Sequence, residues 1–361
     1  EEKKEEEDAD TLELCMLRIK RVSASGAIGC LNRLMGSGST KTKETCARAL
    51  RQICAETSSR GIFIQEGGLK SCCDLIATAS SPSASTSSSS SPHSSSKDHQ
   101  AETAAAEGGS LTSSEARREA AHAIAKSLVT TNPSLLSAHQ RLGVIHPLLD
   151  LCRDVDSTNL QQFEALLSLT NILTAGQTEV ARFIKEKGHH AVHYLVFSDH
   201  LMVRRAACEV FCNISFEEEV LALMRKPEKV RLWLGLCEEW DGKDSDQESY
   251  LIAKACSGAL AGACGDQGVS EAVLSENVGV SLKKLLASEK PELIHRSLVI
   301  MSQLLQKDDD ECGNVPMAKH FLESDIVLSL TSAVKCVQQI PELHAMAKDA
   351  ANKLVNMCRA L

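Results

Sequence analysis

The sequence predicts an all-α protein built as a solenoid of short helical repeats. Three observations carry that prediction. Aromatic residues make up only 3% of the 361-residue chain, too few for the aromatic and β-branched packing on which β folds lean. Apolar residues recur every three or four positions, as at Leu166, Leu169, Ile172 and Leu173, and clean alternation over strand length is absent. One short pattern also returns along the chain at a nearly constant interval.

Taken from the N-terminus, the first element is acidic. Residues 1–10, EEKKEEEDAD, hold seven acids and two lysines and contribute −5 of the net charge of −9. Such a head reads as a solvated, disordered lead-in over 1–13. The chain begins without methionine, which predicts a longer parent. From Ser80 to Ser96 twelve of seventeen residues are serine, and the bias extends over about 78–113. A serine tract buries nothing and cannot offset its ordering entropy, so it is expected to be a disordered insert in a surface loop. Ser81-Pro82 and Ser91-Pro92 within it match proline-directed phosphorylation only weakly. The remainder, 14–361, is expected to be one repeat domain.

Within that domain the template is ALLSLTN, ending at Asn171. Related segments end at Ile53, Ser127, Asn213, Ala263, Gln303 and Asn356, giving successive spacings of 74, 44, 42, 50, 40 and 53. Removing the serine insert brings the first to about 38, and the acidic loop DGKDSDQES at 241–249 accounts for the 50. A period near 42 fits armadillo or HEAT repeats and does not fit TPR or ankyrin repeats, at about 34 and 33. Units of this kind bury their apolar faces on one another, which predicts a right-handed superhelix of armadillo-type repeats with a concave groove. Six prolines outside the insert, from Pro133 to Pro341, fall at helix starts or junctions, where a missing N–H costs nothing.

Composition also removes function classes. With −5 placed on the head, the other 351 residues carry only −4 and present no basic footprint for nucleic acid. No run approaches the ~18 apolar residues of a membrane span. The fifteen cysteines are scattered, include no CxxC pair, and fall mostly in apolar helical runs such as RRAACEVFCNIS. They read as small buried hydrophobes, free thiols of a cytoplasmic protein. GSGSTK at 36–41 lacks P-loop spacing and a preceding strand. His189 and His193 in GHHAVH have a metal-ligand spacing without the intervening Glu of a metalloprotease helix, and read as a surface helix start. Gly258 and Gly262 form a small-xxx-small pair, read as close packing within a repeat. No cofactor motif and no active site are recognisable.

In armadillo arrays the last helix of each repeat lines the groove. Asn171 and Asn213, 42 residues apart, should therefore stack there, with amides suited to an extended peptide backbone or to carbonyls of the next repeat. Glu164 and Leu167 precede the first, and Arg205 and Glu209 the second, so a groove of mixed charge is expected. Importin-type proteins set a Trp one turn before the Asn; Leu167 and Glu209 stand there instead.

Several blocks in register carry a family resemblance: CARALRQIC and RGIFIQEGGLKSCCDLI within 46–76, AAHAIAKSLVTTNP at 120–133, QRLGVIHPLLDLC at 140–152, QFEALLSLTNIL at 162–173, VRRAACEVFCNI at 203–214 and IHRSLVIMSQLL at 294–305. Together they resemble the UCS-domain myosin chaperones, the UNC/Cro/She family, over roughly 14–361. The resemblance implies an armadillo superhelix and a non-enzymatic, cytoplasmic chaperone whose client, the myosin motor domain, lies in the groove. It places the client contacts at Phe163, Glu164, Leu167, Asn171, Arg204, Arg205, Glu209 and Asn213. It also implies a heat-shock chaperone as a second partner, through TPR repeats that this chain does not contain. Where the family usually reads F-P-G-Q-R, this chain has Ser137, Ala138 and His139 before Gln140 and Arg141, which leaves those last two as the candidate loop contacts. The alternative is an armadillo scaffold that binds folded partners without chaperoning them.

Overall fold

The computed structural model describes residues 2–78, 113–240, 242, 246–306 and 314–360. The helices fall into groups of three. The first is α1 (Glu2–Ala24), α2 (Ala27–Ser37) and α3 (Thr40–Ile53), and the second α4 (Thr57–Gln65), α5 (Gly68–Ala77) and α6 (Ser114–Leu128). A short 3-10 turn leads into α7 (Ala138–Arg153), which is followed by α8 (Asn159–Leu173). Then come α9 (Gln177–Lys185), α10 (Gly188–Leu195) and α11 (Leu201–Ile214); α12 (Glu218–Met224), α13 (Pro227–Glu238) and α14 (Gln247–Ala263). The last two groups are α15 (Gln267–Ser275), α16 (Val278–Leu286) and α17 (Pro291–Leu304), then α18 (Val315–Glu323), α19 (Ile326–Cys336) and α20 (Pro341–Ala360). The chain is thus an all-α stack of armadillo-type repeats, and the seven related sequence segments lie in or at the ends of the third helices, α3, α6, α8, α11, α14, α17 and α20. Its contacts divide it into two units, Glu1–Leu151 and Cys152–Leu361.

Local chemistry explains why the pattern repeats. The turn between first and second helices passes through a left-handed residue in five groups: Gly26, Gly67, Lys187, Asn277 and Asp325, with φ between 55° and 81°. Asn and Asp tolerate that region better than other side chains, and Lys187 does not share the advantage. Directly after the turn, a glycine lies against the ring of a buried first-helix phenylalanine. A methyl at Gly68 would sit 2.3 Å from Phe63, and one at Gly188 2.5 Å from Phe183. The tight turn folds the second helix onto that ring, whose burial contributes about 1.5–3 kcal/mol. Third helices are capped by their own sequence: Ser39, Ser113 and Asp246 accept backbone N–H bonds, and Thr158 forms a capping box with Gln161.

The backbone of α1 is helical from Glu2, through the acidic lead-in. Two expectations change here. Pro147 lies inside α7, not at a junction. Its missing N–H would have bonded the Gly143 carbonyl four residues earlier, and that carbonyl accepts instead the Cys73 thiol of α5 at 3.7 Å. The GHHAVH segment starts a helix, α10, as expected, but not wholly at the surface: His190 is exposed, whereas His189 is only 2% exposed. The serine-rich insert lies outside the described residues except at its ends, where Thr78 caps α5 and Ser113 begins α6. The 241–249 loop is described only at Gly242 and from Asp246 onward.

Candidate functional site

In the second unit, α11 packs between α8 and α14, and α14 between α11 and α17, so third helices lie side by side. Their periodicity buries one stripe, such as Ala165, Leu166, Leu169 and Ile172 of α8, and Val203, Ala207, Val210 and Phe211 of α11. The opposite stripe remains open and carries most of the candidate residues.

The centre of this stripe is Arg205 of α11. Its guanidinium carbon lies 5.4 Å from the centroid of the Phe163 ring on α8, a cation–π arrangement. Nη1 donates to Glu248 Oε1 on α14 at 3.0 Å, and Nε is 3.7 Å from Glu209 Oε1 on its own helix. Its side chain is only 15% exposed. Three successive repeats are thus tied through one arginine. Burial pushes the Glu209 carboxyl up, the charge of Glu248 adds to that, and Arg205 opposes both. One oxygen of Glu248, Oε2, is buried with no hydrogen-bond partner, as is Nε of Arg205. The strip continues on α14 and α17, where Tyr250 donates its hydroxyl to Glu292 at 3.3 Å and Lys254 lies 3.7 Å from the same carboxylate. The mixed charge expected from the sequence is present.

One of the two asparagines is tied to the neighbouring repeat. Asn213 Nδ2 donates to the Thr170 carbonyl at 3.0 Å. Thr170 is in the last turn of α8, whose final carbonyls have no donor within their own helix. The amide therefore completes the helix end of the preceding repeat. Asn171 is half-buried at the equivalent position of α8, and Glu164 and Leu167 are half-buried on the same helix.

Arg204 does not join this set. One residue along a helix is a rotation of about 100°, and its guanidinium bonds the Ser198 carbonyl at 3.0 Å and Glu239 at 2.7 Å, pinning the turn before α11 to the end of α13. Gln140 and Arg141 occupy the first turn of α7 and not a loop. Gln140 Oε1 accepts from the Ser137 N–H at 2.9 Å, while Arg141 donates to the Leu136 carbonyl at 2.6 Å, so both act in starting the helix. Gly258 and Gly262 serve contacts between repeats, not within one: added methyls would fall 1.6 Å from Arg296 of α17 and 1.9 Å from Ser215 beside α11.

Glu248, Tyr250, Lys254 and Glu292 were not singled out by sequence reasoning. The signal for Glu248 was available, since it stands 43 residues after Arg205, one repeat period.

Among the described residues no cluster of three or more His, Cys, Asp or Glu side chains is placed to hold a metal ion, and no helix is long and apolar enough to cross a membrane. His189 and His193 point into packed surroundings; His193 meets Phe197 and Phe211 edge-on at 5.4 and 5.9 Å. Burial lowers both histidines to about 4, with neighbouring His190 and the lysines Lys187 and Lys229 adding to it. The described cysteines are free thiols. Cys208 and Cys256 bring their sulfurs to 3.3 Å in the buried α11–α14 contact, and burial holds Cys256 well above the ordinary thiol range.

No family model matches the chain. The unc-45 homolog B of Danio rerio is 27% identical over 341 residues, covering 92% of this chain and 31% of that protein. The structure of UNC-45 from Drosophila melanogaster superposes with a TM-score of 0.67 at 26% identity, covering 95% of this chain and 38% of that one. The myosin chaperone UNC-45 from C. elegans, solved in complex with an Hsp90 peptide, gives a TM-score of 0.69 at 20% identity over 92% of this chain and 32% of that one, and shares the fold. The chain spans about a third of the curated relatives it matches. It resembles the UCS-domain myosin chaperones along most of its length.

Proposed function

We propose that this chain is a non-enzymatic, cytoplasmic, myosin-directed chaperone whose third-helix face engages a segment of the myosin motor domain during folding or assembly. The observation that carries the reading is the similarity to UNC-45 proteins over 92% of the chain, which runs through the repeats that form the Phe163–Arg205–Glu248 strip. The client contacts are Phe163, Glu164, Leu167, Asn171, Arg205, Glu209 and Asn213, with Arg204 holding α11 in place behind them. A strip of mixed charge that offers carboxylates and a shielded aromatic ring suits an extended polypeptide. Gln140 and Arg141 act through the start of α7. A heat-shock chaperone is a second partner, recruited by segments outside this chain. The domain runs over 14–361 and tolerates the serine-rich insert as a long connection between α5 and α6.

The test is light scattering from a myosin motor domain heated with and without this chain, with an unrelated armadillo-repeat protein as control. Selective suppression of scattering is the expected outcome. Stable co-elution with native motor domain, without suppression, assigns the chain to scaffolding of folded partners. No interaction in either assay removes myosin as the client.

A further inference from the structure

The third-helix face holds a second arginine whose surroundings differ from those of five other arginines of the second unit. Arg182, Arg204, Arg205, Arg225 and Arg231 are each paired with a carboxylate of Glu186, Glu239, Glu248, Asp266 or Glu276. Arg296 of α17 is half-buried, and among the described residues its guanidinium forms a hydrogen bond with the Cys212 thiol of α11, at 3.7 Å, and no ion pair with a carboxylate. To reach it the side chain lies flat across α14 at Gly258, where a methyl would stand 1.6 Å from Nη1. A guanidinium has five N–H donors, and a thiol is a weak acceptor that satisfies at most one.

Beside this arginine is a cavity lined by Ala261 and Gly262 of α14 and by Glu292, His295, Arg296 and Val299 of α17. Its one acid, Glu292, is already engaged by Tyr250 and Lys254. On the α14 side the lining is Ala261 and Gly262, which add no side chain longer than a methyl to the wall. The cavity lies one repeat beyond Glu248 on the same face. A step between packed helices, about 8–10 Å, is spanned by about three residues of extended chain.

We propose that the α14–α17 cavity is a subsite for an acidic side chain, aspartate or glutamate, on an extended segment of the client, whose carboxylate pairs with Arg296. This inference rests on the chaperone reading for the identity of the client and on the cavity alone for its chemistry. A carboxylate meets a guanidinium in a bidentate fork, a geometry that no carboxylate among the described residues fills at Arg296. Val299 and the stem of Arg296 supply the apolar wall for the methylenes of the incoming residue.

The experiment is fluorescence anisotropy at low ionic strength with labelled twelve-residue peptides of alternating Ser and Glu, or Ser and Gln. The expected result is about tenfold tighter binding of the Glu peptide, weakened by added salt. Arg296→Ala should abolish the preference. Ala261→Glu retains the arginine but supplies a carboxylate inside the cavity; it should also abolish the preference while leaving the helical melt unchanged, which separates occupancy of the site from loss of fold. Equal binding of the two peptides, or a Glu preference that survives either substitution, overturns the proposal. Inorganic phosphate binding more tightly than the Glu peptide overturns it as well, by assigning the cavity to a free oxyanion. Failure here with scattering still suppressed in the motor-domain assay rejects the subsite alone; failure of that assay with the Glu preference intact rejects the client.

Discussion

Arg205 and Arg296 occupy third helices two repeats apart and face the same surface, yet one is saturated and the other is not. Arg205 has an aromatic ring on one side and two carboxylates on the other, supplied by three helices. Arg296 crosses a helix backbone to reach a thiol. The contrast separates two uses of one residue type. A guanidinium enclosed by acids ties repeats together, because removing it strands charge in a poorly solvated place. A guanidinium without acids adds little to the fold and keeps its pairing capacity for something that arrives from outside.

The largest test of that contrast is a pair of stability measurements. Arg205→Ala leaves Glu209 and Glu248 facing each other and should cost about 3 kcal/mol, read as a drop in the denaturant midpoint. Arg296→Ala should cost under about 1 kcal/mol; equal losses would erase the distinction. Behind α11 the second unit carries the reverse case, histidines kept neutral. His189 and His193 hold folded values of about 4 against about 6.5 in the unfolded chain, with Lys187, His190, Glu219 and Lys229 as the charged groups around them. The unfolded chain binds protons first, so their contribution is complete above pH 6.5 and is lost as pH falls toward 4. We expect a fall of about 2 kcal/mol across that window, reduced in His193→Gln, from melts at a series of pH values. A flat profile would show that the histidines are more solvated than their packing indicates.

A smaller effect comes from Asn213→Ala, which leaves the Thr170 carbonyl without its donor. It should destabilise by about 1 kcal/mol, read as a drop in the denaturant midpoint; an unchanged midpoint would show that water replaces the amide. The smallest is Lys187→Gly. Relief of a left-handed non-glycine should raise stability by about 0.5 kcal/mol, while the same change at Asn277 should give less. Equal gains at the two positions would mean that the turn, not the residue, sets the cost.

Much of the fold was legible because the repeat writes its own punctuation. Third helices were located to within a few residues by the recurrence that ends at Asn171 and Asn213, since those positions face the same way in every unit. Arg205 and Glu209 were placed on one surface by spacing, and Phe163 by the family resemblance. Arg204 pairs with the Ser198 carbonyl and Glu239, away from the Arg205 strip, because a single residue turns the helix by about 100°. Asn213 was half understood: its groove-side position follows from the period, but the carbonyl it serves belongs to the previous repeat. Glu248 escaped notice because it begins α14, close to the acidic loop that interrupted the count. Pro147 shows a different limit. The carbonyl that a proline inside a helix abandons is here met by a donor from another helix, Cys73, 74 residues before Pro147 in the chain.

The bond from Asn213 to Thr170 has a consequence for how such a chain grows or shrinks. Each repeat looks like an interchangeable module, but here the seam is written half in one unit and half in the next. A duplication that copied α9–α11 elsewhere in the array would carry the amide and leave behind the helix end it completes. Insertions therefore belong in the connections before a third helix, where this chain carries its serine tract and its acidic loop, and splices belong nowhere near the seam.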